Sequence, residues 1–330
     1  MAVDTAAAAP RAGDHAVAAL DMSTAARMAT AVQQAASGQS VGVLGATSLV
    51  GRPLLSLLAA AGRRVLPCSR AAVSAGWCRP GAPVPEGFGA VASWIALCPL
   101  WCLPDHLDWI GSLGARTLVA LSSTSVTTKR DSVSASERRV AAALADAEAE
   151  VAGWAGRHGV RSCILRPTMI YDGMSDGNVA AIARFVRRWH CFPIRAAATG
   201  LRQPVHAADV AAACAAALDA ERLERCYDLS GGETLQFREI VRRTCAAEGL
   251  RPRLVSLPAA LWQVLLPVAH AVGLGRGVTL GMARRMNEDL VFDHSAAARD
   301  LGFRPRPFQP HAVERHDGTG TRAGAARGGC

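Results

Sequence analysis

Seven residues, Gly45-Ala46-Thr47-Ser48-Leu49-Val50-Gly51, follow the apolar run Val41–Leu44 and open a segment with helical spacing. A diphosphate can rest on the start of a helix only where main-chain amides approach it without an intervening side chain. Gly45 permits the tight turn, and Gly51 permits close packing of helix on strand. Ser48 stands where a middle glycine is usual, and its small hydroxyl can donate to a phosphate. At the end of the next apolar run stand Cys68-Ser69-Arg70. An acid at that place would bind ribose hydroxyls, whereas a serine and an arginine suit a 2′-phosphate. The chemistry is therefore that of a dinucleotide site taking NADP(H), with NAD(H) as the alternative. Against this stand a turn without a ligand and a solvated Arg70.

The elements that position these residues alternate. A short apolar run, a turn and an Ala/Leu/Arg segment of helical spacing recur, which argues for parallel strands joined by helices. Strands are expected at Val41–Leu44, Arg64–Pro67, Trp94–Cys98, Thr117–Leu121, Arg161–Leu165 and Cys226–Leu229. Pro67 fits poorly in an interior strand. Helices are expected at Pro53–Ala61, Leu107–Leu113, Glu137–Arg157, Val179–Trp189, Ala207–Leu218 and Gln236–Glu248, with a polar loop at Ser122–Ser136. Arg202–His206 reads as a short extended piece. The fold class is α/β, a Rossmann-type doubly wound parallel sheet with a small, mostly helical C-terminal cap. Residues 41–171 and 201–232 make the dinucleotide-binding domain, and residues 172–200 and 233–310 the substrate cap. Residues 1–40, Ala-rich, and 311–330, rich in Gly and Arg, read as disordered ends.

Composition narrows the function classes. The formal net charge is +9, and all but one of the cations are arginines. No basic stripe interleaved with aromatics and no zinc-finger spacing accompanies them, so nucleic acid is not the expected partner. The ten cysteines are dispersed through apolar runs, where a free thiol behaves as a small hydrophobe, and the reading is a reducing cytoplasm. Cys98 and Cys102 lack a second pair or suitably spaced histidines, so no metal is expected. The first residues lack the basic start and unbroken apolar stretch of a secretory signal. The longest apolar stretch, Leu254–Leu274, is interrupted by Pro258, Gln263, Pro267 and His270, and reads as buried helix rather than a membrane span.

With later segments, the glycine loop resembles the extended and atypical short-chain dehydrogenase/reductases, specifically the NAD-dependent epimerase/dehydratase group acting on nucleotide-linked sugars. The matching pieces are Gly45–Gly51, Leu121–Ser125, Leu165–Tyr171, Arg202–His206 with Asp209-Val210, Tyr227–Gly232 and Asp300–Phe303, in the family's order. The resemblance implies that Ser122 and Ser123 end the strand beside the nicotinamide, and that Arg166, Pro167 and Thr168 line the same end of the cofactor. It implies a small-molecule substrate, such as a nucleotide-linked sugar, held by the segments after Tyr171 and after Gly232, and relatives suggest a homodimer.

The chain departs from that family in its acid–base pair, a tyrosine four residues before a lysine on the helix after the serine loop. Glu137–Arg157 contains neither, and Ala142 and Asp146 stand where the pair is expected. Three groups can substitute. Lys129, the only lysine, follows Ser122–Thr128 and can supply a charge or a proton; Tyr171, beside Asp172, can replace the phenol; Ser123 can hydrogen-bond a substrate oxygen. Each has a plain counterpart: a solvated lysine, a packing tyrosine, a structural cap. Three readings remain open: an NAD(P)-dependent oxidoreductase or epimerase with a rearranged site, a reductase or isomerase in which the hydride step dominates and water supplies the proton, and a non-catalytic NADP(H)-binding regulatory or scaffold protein. His190, with Arg187, Arg188 and Arg195, can meet a substrate phosphate or form a solvated basic face. His206 is expected to be structural, before a helix start where Asp209 can accept from backbone amides.

Overall fold

The computed structural model describes residues 40–70, 76–86, 88–251, 253–258, 260–264 and 280–310. The sequence dictates a parallel sheet because each apolar run is too short for a helix and is followed by a helix able to return the chain. Six strands form it: β1 (Ser40–Leu44), β2 (Arg64–Cys68), β3 (Ser93–Ala96), β4 (Thr117–Leu121), β5 (Arg161–Pro167) and β10 (Cys226–Leu229). Their order is β10-β5-β4-β3-β1-β2, and all five pairings are parallel. The order reverses between β1 and β3, so a crevice opens there at the carboxyl ends of the strands.

Pro67 lies inside β2, paired with Val43, and is tolerated because β2 is the edge strand. On its outer side the carbonyl of Pro67 accepts from Cys78 N at 2.9 Å.

Helices cover both faces. Val41 and Val43 point to one core with α1 (Gly51–Ala60) and α6 (Ala207–Asp219). Leu44, Trp94 and Leu118 point to the other, under α2 (Leu107–Ser112) and α4 (Ala135–His158). α4 buries Ala141, Leu144, Ala147, Val151 and Trp154, a stripe at helical spacing whose alanines let the helix lie close to the sheet. It ends at Gly159, whose φ of 64° is the left-handed conformation that glycine adopts without a Cβ penalty.

The expected elements recur within a few residues, with four differences. The polar loop contains a short helix, α3 (Ser125–Thr128). The expected extended piece is two strands, β8 (Leu201–Arg202) and β9 (Val205–His206), which pair with β11 (Leu235–Gln236) and β6 (Ile170–Tyr171). The segments expected to form a helical cap do contain α5 (Val179–Trp189), α7 (Phe237–Ala247) and α8 (Leu280–Arg285), but also a parallel pair, β7 (Cys191–Arg195) with β12 (Arg253–Leu257). The start of the apolar stretch at Leu254 is therefore strand, not helix; its residues 265–274 lie outside the described residues. α9 (Ser295–Leu301) packs Ala297 and Leu301 into the first core. Residues 1–39 and 311–330, read as disordered ends, likewise lie outside the described residues. No described helix is long and apolar enough to cross a membrane.

Candidate functional site

The glycine loop lies at the crevice. Gly45 has φ 74°, and a Cβ built on it would stand 2.7 Å from the backbone N of Cys98, two residues beyond β3. A Cβ on Gly51 would stand 2.3 Å from the carbonyl oxygen of Ala46. Both glycines are demanded by contact with backbone, which cannot step aside. The loop is pinned by Gly45 and Ala46, whose amides donate to Cys68 O at 3.1 and 3.2 Å. Among the described residues the amides of Thr47, Leu49 and Val50 find no acceptor, and they precede the first turn of α1. A row of unclaimed donors at a helix start is an anion cradle.

Ser48, in the middle-glycine place, accepts from Gly51 N at 3.1 Å through Oγ, in the turn that leads into α1. Its backbone is not left-handed, so a side chain is tolerated there, and its hydroxyl proton remains available to a ligand.

Ser69 and Arg70 follow β2 on the same edge. Ser69 is buried and its amide donates to Cys78 O at 3.0 Å, while Arg70 is exposed. The charge of Arg70 reaches the Cys98 thiol and opposes the burial that pushes that thiol up to about 11. Arg70 thus stands, exposed, two residues beyond the carboxyl end of β2.

Ser122 and Ser123 follow β4. The Ser123 hydroxyl oxygen accepts from Ser125 N at 3.1 Å, in the turn that leads into α3. The Ser122 hydroxyl donates to Glu148 Oε1 at 2.5 Å. Glu148, on α4, also takes two hydrogen bonds from Arg166, one from Nε at 2.9 Å and one from Nη2. These bonds hold the guanidinium more strongly in its charged form. Sequence reading missed Glu148. Arg166, expected just past the strand, lies inside β5 one residue before its end, and its side chain turns to Glu148 on α4. Pro167 is buried, and Thr168 spends its hydroxyl on Gln203 O and its amide on Leu229 O. Glu148→Ala, which strands a half-buried guanidinium and frees Ser122, is expected to cost about 2 kcal/mol in urea unfolding.

Lys129 closes α3 and is half-buried rather than solvated. Burial lowers its pKa first, and Arg285 lowers it further, against the opposing pull of Glu137. Arg285 and Glu137 form a buried pair with a second hydrogen bond of 2.8 Å between Nη2 and Oε1. The pair joins α4 to α8 directly beside the serine loop.

Tyr171 does not join these groups. It is fully buried, edge-on to His206 and Phe308, and its oxygen accepts from Gln309 N at 3.2 Å. Burial raises its pKa. Its role is packing. Ala142 and Asp146, where the acid–base pair was expected, face solvent; α4 turns Val140, Leu144 and Glu148 inward instead. At His206 the helix start is capped by its own ring, Nδ1 accepting from Ala208 N at 3.1 Å, while Asp209 holds Arg306 at 2.9 Å. His190, Arg187 and Arg188 are exposed. Among the described residues no His/Cys/Asp/Glu group has metal-binding geometry. A hollow bounded by Gly111, Arg116, Trp154 and His158 lies at the opposite, amino end of the strands.

No protein-family model matches the chain. An uncharacterized protein of Sinorhizobium fredii, y4nG, is 28% identical over 153 residues, which are 46% of this chain and 37% of that protein. The chain thus spans little more than a third of that relative's length. Among solved structures, a UDP-glucuronic acid 4-epimerase from Bacillus cereus in complex with NAD superposes with TM-score 0.62 at 11% identity, covering 82% of this chain and 94% of that one. The UDP-glucose 4-epimerase of Thermus thermophilus in complex with NAD gives 0.58 at 19% identity over 83% and 96%. A short-chain dehydrogenase/reductase superfamily protein from Agrobacterium tumefaciens with bound NAD gives 0.59 at 14% over 82% and 93%. The sheet order, the crevice and these superpositions agree: the chain has the fold of the extended, epimerase-like short-chain dehydrogenase/reductases.

Proposed function

We propose that the protein is an NAD(P)-dependent oxidoreductase or epimerase of the nucleotide-sugar epimerase/dehydratase kind, with a site that works without the tyrosine–lysine pair. The observation that carries this reading is the cradle, where two glycines that admit no Cβ and three unclaimed amides meet at the reversal of strand order. Gly45, Thr47, Ser48, Leu49, Val50 and Gly51 would hold the diphosphate. Ser69 and Arg70 favour a 2′-phosphate, hence NADP(H). When bound, the nicotinamide supplies hydride transfer. Solved structures of the same fold carry NAD and, in one case, UDP-glucose with it, which supports a nucleotide-linked sugar as substrate class.

In this reading Lys129 holds or moves a proton at Nζ. Burial and the neighbouring Arg285 lower its pKa, which favours the neutral amine. Because the shift is downward, the neutral amine gains population at pH values below the ordinary lysine range. Ser122 and Ser123 order the loop before it, with Glu148 fixing Ser122.

Lys129→Met should lower kcat on the turned-over sugar nucleotide by about 100-fold or more while leaving the Kd for NADPH within about twofold. A panel of UDP- and GDP-sugars with NADPH, followed by absorbance, provides the readout. The absence of Tyr and Lys from α4 favours one second reading, a non-catalytic NADP(H)-binding protein. NADPH binding without turnover on the whole panel would establish that reading instead.

A further inference from the structure

The chain's positive charge is not spread over it. Residues 177–208 contain five arginines and no Asp or Glu, and residues 249–287 contain five more and no Asp or Glu. These ten charges exceed the whole formal net charge of +9, so the rest of the chain is close to neutral. The fold brings the two segments together. β7 and β12 pair in register, with Arg253 beside Cys191, Val255 beside Pro193 and Leu257 beside Arg195. Arg253 N also donates to His190 O at 3.3 Å, which sets it next to the end of α5.

Large apolar side chains are exposed on the same two segments. Trp189 is 43% exposed, Val255 40%, Leu261 39% and Val264 62%. The helical turn at 260–264 buries Trp262 and leaves Leu261 and Val264 outside. The Arg188 guanidinium lies 4.9 Å over the Trp189 ring. Arg187 is matched by Glu248 at 3.5 Å, Arg284 by Glu288, and Arg285 by Glu137. Arg188, Arg195, Arg251 and Arg253 have no carboxylate within ion-pair distance among the described residues.

Arginines alone would fit any polyanion. Outward aliphatic residues beside a surface tryptophan fit a boundary that is anionic at its face and apolar just beneath. We propose that the surface formed by Arg188, Trp189, Arg253, Val255, Leu261 and Val264 docks on an anionic phospholipid bilayer. Contact would be peripheral: the arginines meet headgroup phosphates, and the tryptophan and aliphatic tips enter the acyl boundary. The proposal is independent of the chemistry at the crevice.

Co-sedimentation of the full chain with vesicles tests it. The protein should pellet with vesicles of phosphatidylcholine and phosphatidylglycerol in equal parts, and far less with pure phosphatidylcholine. Arg188→Gln with Arg253→Gln should weaken binding about 30-fold, near fivefold per arginine. Leu261→Ser with Val264→Ser should remove the fraction that still binds when the Debye length is cut to about 3 Å. Thermal melts of both variants matching the parent would exclude unfolding as the cause. Four results would overturn the proposal: no pelleting with anionic vesicles, equal pelleting with neutral ones, binding unchanged in the arginine variant, or single-stranded RNA competing the protein off the vesicles completely.

Discussion

Gly51→Ala should abolish dinucleotide binding, weakening the Kd for NADPH by at least about 100-fold. The added carbon would lie 2.3 Å from Ala46 O, well inside contact distance, and its neighbour is main chain held by the bond from Ala46 N to Cys68 O. Either α1 moves away from β1 or the loop opens, and in both cases the amides of Thr47, Leu49 and Val50 lose their common aim. Overpacking of this kind costs about 1–3 kcal/mol, so the variant should fold with a lowered melting temperature while failing to bind. Gly156→Ala is the matched control. Its Cβ meets nothing within 4 Å, it lies inside α4, and helix propensity favours alanine by about 1 kcal/mol. It should bind as the parent does and melt slightly higher. Fluorescence titration with NADPH alongside a thermal melt reads both quantities.

Glu137→Ala should be the most damaging single substitution for stability, at about 3–5 kcal/mol in urea unfolding. Its carboxylate is bound by Arg285 through two hydrogen bonds and by Ser132 Oγ at 2.5 Å, and side chains on both sides of the pair are about nine-tenths buried. Removing it leaves Arg285 beside a half-buried Lys129 with no counter-charge between them. Arg202 adds to the positive field; burial and Arg285 together bring its pKa down to about 10. Glu224→Ala offers the contrast. The Glu224–Arg299 pair is exposed on both sides, so solvent screens it and its loss should leave the urea midpoint indistinguishable from the parent's. A Glu137→Ala variant no weaker than Glu224→Ala would show that the contact between α4 and α8 does not bear on folding.

Much of the scaffold was legible because its signals are local. Val41–Leu44 followed by a glycine turn and an amphipathic segment can hardly form anything but strand, turn and helix, and Thr117–Leu121, Val179–Trp189 and Cys226–Leu229 fall where expected. What escaped has no local signal. Glu148 and Arg166 are 18 residues apart, and Glu137 and Arg285 are 148 apart, so neither pair can be inferred from spacing. Tyr171 looks available at a strand end until Phe308 and Gln309 close over it from a distant part of the chain. Lys129 looks like a loop lysine because nothing in Ser122–Ser136 announces the helix α3 or the burial that α8 imposes. β7 and β12 were missed because Pro193 and the arginines obscure alternation in strands of five residues.

The central claim is that the loop from Gly45 to Gly51 receives a dinucleotide diphosphate. Isothermal titration of the purified protein with NADPH and NADH tests it most directly. Saturable one-to-one binding is expected, with NADPH the tighter ligand by virtue of Arg70, and that heat is lost in Gly51→Ala. Absence of binding to either dinucleotide by a protein that melts cooperatively would contradict it.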